Sequence, residues 1–299
     1  MRFPVLLGVP WLVAGVHLAS GGPDSAAAVS RFDEPKHDDT AQRVDKPRET
    51  NEPVHEEGSQ DSGASRDRVD DILTKLEKRG DDLKDIRCRV KFVEQDRINL
   101  ATRTKVGEIL FLMVEPNPYF MIHFERTEAD GLLGKQEWYL FDGRWLYEAI
   151  ERLPQVTKRE IARPGDKLDM FNLETAPFPL PFGQKKDKIL RNFDVTLADP
   201  APGDPKGTDH LICIPKADSV MAERYEKLEF FVRRDVHLPS RIVVTKNKGL
   251  EISTADFPDL SAGSIDTGIT KEHFQKPAAW KTYPEVIELL EPTEPSRRP

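Results

Sequence analysis

An Asp-Gly pair, Asp142-Gly143, lies between two aromatic-rich runs, Glu137-Trp138-Tyr139-Leu140-Phe141 and Arg144-Trp145-Leu146-Tyr147-Glu148. Asp-Gly supplies the positive backbone dihedrals of a two-residue turn whose twist suits paired strands, so this stretch commits the chain to an antiparallel hairpin. Similar patterning recurs on both sides of it. Ile86, Cys88, Val90 and Phe92 alternate with Arg87, Arg89 and Lys91, as in a strand with one wet face. A run over 101–114 stops at Glu115-Pro116-Asn117-Pro118, where missing amides cannot continue a ladder. Over 119–125, Phe120, Ile122 and Phe124 oppose Tyr119, Met121, His123 and Glu125. Further strands are expected over 155–161, 194–198, 210–215, 226–233, 241–245 and 250–257. Short strands in hairpin succession make a meander, and a meander this long curls. The fold class is mainly β with a few helices (α+β), built on a curved antiparallel sheet.

The flanks of the sheet region read differently. Arg2 precedes an apolar run over 3–19 that Pro4, Gly8, Pro10 and Gly15 interrupt, and Ala19-Ser20-Gly21 offers small residues for cleavage. Residues 1–21 are expected to be a signal peptide cut near Gly21, which places the protein in the periplasm; an uncleaved anchor is the other reading. Residues 22–66 are acidic, with Val29, Phe32, Val44 and Val54 as their only bulky apolar side chains, and read as a disordered linker. Ser65 is positioned to cap a helix in which Val69, Ile72, Leu73, Leu76 and Leu83 make one apolar stripe and Gly80 stands near the stop. Residues 163–193 interrupt the meander with Leu168, Met170, Phe171, Leu173, Phe178, Leu180 and Phe182, then a helical stretch to about Asn192. So apolar and proline-rich a segment must be buried, so it is expected to fold back over the sheet. Residues 277–299 read as a loose tail with at most a short helix at 285–290, leaving 67–276 as the folded domain.

Composition removes several functions. The net charge of -8 argues against nucleic acid as a partner, and 32% charged residues with a mean hydropathy of -0.55 argue against a multi-span membrane protein. Motifs for zinc proteases, dithiol redox centres, serine hydrolases and phosphate-binding loops are absent, and the histidines are scattered. No enzyme activity, cofactor or metal site is expected. Glu108, Glu137 and Asp142 read as sheet-surface and turn residues. Cys88 and Cys213 fall on separate strands, where either a disulfide or two free thiols fits.

Three stretches resemble a known family. Val106-Gly107-Glu108-Ile109-Leu110-Phe111-Leu112 followed by Pro116-Asn117-Pro118 is similar to a strand and proline turn of the bacterial outer-membrane lipoprotein carrier (LolA-like) superfamily. Phe141-Asp142-Gly143-Arg144-Trp145-Leu146-Tyr147 resembles its hairpin, and Leu228-Glu229-Phe230-Phe231-Val232 with Leu238-Pro239-Ser240-Arg241-Ile242 its late strand pair. The block 176–191 looks like a planctomycete-type branch. The likeness covers roughly 67–277.

The resemblance implies an unclosed half-barrel whose concave face binds acyl chains of lipoproteins, or another lipid, with the insert over 163–193 as its lid. Val90, Phe92, Phe120, Ile122, Phe124, Trp138, Leu140, Trp145, Tyr147, Leu228, Phe230 and Val232 are the residues expected on that face, as a cavity or as packed core. The family latches its lid through an arginine beside the proline turn; here that position is Glu115. A monomeric carrier or chaperone is expected. A non-carrier envelope sensor with a protein partner is the alternative on the same scaffold.

Overall fold

The computed structural model describes residues 61–129, 132–151, 153–168 and 182–290. The chain opens with helix α1 (Asp61–Asp82) and enters β1 (Asp85–Asp96), β2 (Ala101–Leu112) and β3 (Tyr119–Ala129). A short β4 (Leu132–Leu133) precedes β5 (Glu137–Phe141), β6 (Trp145–Ile150) and β7 (Leu153–Glu160). After the insert come α2 (Lys186–Asn192), β8 (Phe193–Ala198), β9 (Thr208–Pro215), β10 (Lys227–Arg233), β11 (Pro239–Lys246) and β12 (Glu251–Asp256). Short 3-10 turns lead to a last strand, β13 (Glu285–Glu288).

All these strands join one sheet in the order β13-β7-β6-β5-β3-β2-β1-β12-β11-β10-β9-β8, with β4 paired to β3. Every pairing is antiparallel except that of β13 with β7. Two meanders are thus stitched together where β1 meets β12, and the insert between β7 and β8 connects their far ends. The sheet does not close: it is an open half-barrel with edges at β13 and β8. Gly107 lies at a bulge between β2 and β3, where a Cβ would come within 1.9 Å of the His123 carbonyl, so only glycine lets the two backbones approach so closely.

Each face of the sheet has its own core. On the concave face, Val69, Ile72, Leu73 and Leu76 of α1 pack with β1, β3 and β9–β12. On the opposite face, Leu110, Leu112, Leu140, Tyr147 and Val156 pack beneath Ile269, Phe274 and Trp280. That second layer corrects two expectations. The tail is not loose at its start, because Trp280 is buried and β13 replaces the helix expected at 285–290. Likewise α1 begins at Asp61, inside the stretch read as linker, since its first turns lie ahead of the apolar stripe that marks the helix in sequence. Cys88 and Cys213 are both free and buried. Burial pushes both thiols up, that of Cys213 to about 12.

Candidate functional site: the concave face and its cover

Strand register decides which side chains share the concave face. Phe120, Ile122 and Phe124 of β3 lie opposite Phe141, Tyr139 and Glu137 of β5. They join Val90 and Phe92 from β1 and Leu228, Phe230 and Val232 from β10 in a single apolar cluster with α1. Eight of the expected residues are therefore together. The remaining four, Trp138, Leu140, Trp145 and Tyr147, belong to the opposite face, against the C-terminal segment. Their alternation reads the same in either frame because this hairpin is covered on both sides, so sequence pattern alone does not choose. Tyr139, Phe141 and Leu146 take their places on the concave face.

The cover over this face is α1 together with the stalk that leads from the insert into α2. Phe182 is buried against Phe257, with ring centroids 5.2 Å apart, and Ile189 of α2 joins the same cluster. Gly80 meets Gly183 backbone to backbone; a Cβ on Gly80 would stand 2.0 Å from the Gly183 Cα. Ion pairs flank that contact. Lys185 bonds Asp81 and lies 3.6 Å from Glu77, while Lys186 reaches Asp70 at 2.5 Å and donates to the Thr74 hydroxyl at 3.0 Å.

The insert is tied down at its other end as well. Asn117 is buried in the proline turn, accepts from the Leu168 amide at 2.7 Å and donates to the Asp166 and Gly143 carbonyls at 2.9 and 2.8 Å. Glu115 pairs with Lys167 at 3.1 Å. The turn thus holds the insert through an asparagine and a carboxylate, with no arginine needed at position 115. Of the expected lid residues, Leu168 packs against the concave cluster and Phe182 is inside it. Met170, Phe171, Leu173, Phe178 and Leu180 lie outside the described residues.

A polar group inside this apolar face escaped the sequence reading. Lys105 is 1% exposed, and its ammonium lies 2.8 Å from the Glu137 carboxylate. The Tyr139 hydroxyl donates to the same carboxylate at 3.3 Å, and the Lys105 Nζ stands 5.5 Å from the Phe124 ring centroid. Burial, with Glu137 beside it, pushes the Tyr139 phenol up. Glu137 is therefore an interior residue, which corrects its reading as sheet surface. One signal did exist: Lys105 stands at even spacing from Ile109 and Phe111, which face the concave core. Glu108 pairs with Arg87 at 2.8 Å, and Asp142 accepts from the Arg144 and Trp145 amides in its turn.

Among the described residues no group of histidines, cysteines and carboxylates is placed to hold a metal ion, and no helix is long and apolar enough to cross a membrane. No family model matches the chain, and no curated protein matches it. Solved structures do resemble it. An uncharacterized conserved protein from Thermus thermophilus is 12% identical over 74% of this chain and 99% of its own, with a TM-score of 0.43. A complex of MucA and MucB from Pseudomonas aeruginosa is matched at 14% identity over 71% of this chain and 62% of that chain, at 0.33. A LolA superfamily protein from Nitrosomonas europaea gives 14% identity over 69% and 97%, at 0.29.

Proposed function

We propose that the protein is an exported periplasmic carrier or chaperone that holds the acyl chain of a lipidated protein, or another hydrophobic ligand, on the concave face of its half-barrel. The observation that carries this reading is the division of labour in the cover. Its apolar side chains, Val69, Ile72, Leu73, Leu76, Phe182 and Ile189, fill the face, while polar ties hold it at the rims.

Magnitudes favour exchange. Burying each such side chain is worth about 1.5–3 kcal/mol, and an acyl chain about 0.8 kcal/mol per methylene, or roughly 12 kcal/mol for about fifteen. Cover and cargo are of the same order, so a chain of that length can displace part of the cover and be released when the cover returns. The eight concave residues from β1, β3 and β10 would line the ligand; Leu168 and Phe182 would move with the cover. Residues 1–21 would direct export and be removed near Gly21.

Native mass spectrometry of protein purified from its own envelope tests the reading. Co-purifying lipid or acylated protein supports it. A protein that arrives empty, fails to accept acyl chains from vesicles, and holds a stoichiometric protein partner would support the sensor role instead.

A further inference from the structure

The exposed large apolar side chains are unevenly placed. Ile98, Leu100, Leu132, Leu133, Val220 and Leu250 are all exposed, and all stand at the end of the sheet where β1, β3, β9 and β11 finish. Register makes the central part of this rim continuous. Asp96 faces both Ala101 and Glu251, Lys246 faces Glu251, and Ala129 faces Leu132. Among the described residues the opposite end, where β1 begins, exposes two of this kind, Met113 and Leu289.

The turn between β1 and β2 is built to hold its apolar residues outward. The Asp96 carboxylate accepts from the Ile98 and Asn99 amides at 2.9 and 3.0 Å, and the Asn99 side chain donates to it at 2.6 Å. Leu100, 88% exposed, has a φ of 52°, a conformation that branched side chains rarely adopt and glycine adopts freely. A strained, fully solvated leucine on a rigid turn gains nothing from its own protein. Each of the three neighbouring prongs also carries a cation, Arg97, Lys135 or Lys248, that makes no ion pair among the described residues.

We propose that this rim is a docking surface for a lipid bilayer. Separate leucine-tipped prongs suit insertion between headgroups, whereas a protein partner would find no continuous groove. The lone cations complement anionic headgroups although the chain as a whole is acidic, with net charge -8. Glu128, Asp218, Glu223, Glu226 and Glu251 are also exposed along the rim and offset its cations, so the leucines supply most of the attraction. Docking does not depend on carriage: an empty protein would bind as a loaded one does.

The experiment places an environment-sensitive, thiol-reactive fluorophore on the full chain at Leu100→Cys or Leu133→Cys, with Lys206→Cys at the opposite end as the control. Cys88 and Cys213 are buried and stay unlabelled. With vesicles of phosphatidylethanolamine and phosphatidylglycerol, both rim labels should shift to the blue and become shielded from iodide, while the control does not. Replacing Arg97, Lys135 and Lys248 by glutamine should weaken binding to these vesicles by about fivefold per cation, and leave binding to zwitterionic vesicles unchanged. Rim labels that stay as quenchable as the control overturn the proposal. So does shielding that occurs without vesicles, which would assign the rim to contact between copies of the protein.

Discussion

Lys105 and Glu137 form an ion pair buried inside an apolar face, with the Tyr139 hydroxyl donating to the same carboxylate. Removing one partner leaves a buried charge uncompensated, so Lys105→Met alone or Glu137→Leu alone should each cost about 3–5 kcal/mol in urea unfolding. The double variant should come close to the wild type; equal losses in all three would show that packing, not charge, is what the single changes disturb. Asp266 belongs to the same scale. Burial pushes its carboxyl up, but the Lys84 amide and the Arg79 guanidinium outweigh that and hold it below its ordinary value of 3.8. A depressed carboxyl stabilises the fold above its unfolded pKa, and that contribution is lost as pH falls through the lower folded value. Melting temperature should therefore drop below about pH 4 more steeply in the wild type than in Asp266→Asn. Parallel profiles would deny Asp266 this role. The part of Asp266 was not legible in sequence, and that of Lys105 only in its even spacing from Ile109 and Phe111. Lys105 sat in a strand whose polar residues normally face water, and the partners of Asp266 come from far along the chain.

At the scale of elements, α1 and the stalk behave as one lid leaf because Gly80 and Gly183 touch. Gly80→Ala would force a methyl group into the Gly183 backbone, so α1 and the stalk must separate. We expect lower stability and faster amide exchange in α1 and α2, while the strands β1 to β3 keep their protection. Uniformly faster exchange would instead mean that the cover and the sheet open together. Phe182→Ala removes a buried ring and should cost about 3–5 kcal/mol by urea unfolding. Strands were readable wherever turn chemistry bounded them: Asp142-Gly143 and the proline turn at 116–118 marked β5, β6 and the end of β2 correctly. The C-terminal layer was not readable. Phe274, Trp280 and Tyr283 are isolated aromatics among prolines and charges, and what makes them core is an apolar sheet face contributed by β2, β5 and β6.

The whole molecule is a sheet with two covered faces of different character. The C-terminal segment that covers the convex face is continuous with β13, which is hydrogen-bonded into the sheet beside β7. The concave cover is also continuous with the sheet, since α2 passes directly into β8 and the Asn192 carbonyl accepts from the Lys216 amide at 2.9 Å. Truncation before Ile269 should therefore expose Trp138, Tyr147 and Leu140, raise binding of a hydrophobic dye and cause aggregation; a soluble truncated protein that ignores the dye would show that the convex layer is dispensable. The curved antiparallel sheet followed from alternation and turns, which are local, and its unclosed half-barrel form from the family resemblance. Which face each hairpin residue took did not, because that depends on layers supplied from both ends of the chain.

The claim on which the rest depends is that a hydrocarbon chain can take the place of the cover on the concave face. Titration of a fluorescent fatty-acyl probe into the wild type and into Lys185→Ser/Lys186→Ser, which loosens the stalk from α1, tests it most directly. The account predicts saturable one-to-one binding that the double substitution tightens, with probe emission quenched by a bromine atom introduced chemically beside β1 or β10. Absence of saturable binding in both proteins, or binding that persists unquenched from the concave strands, would contradict it.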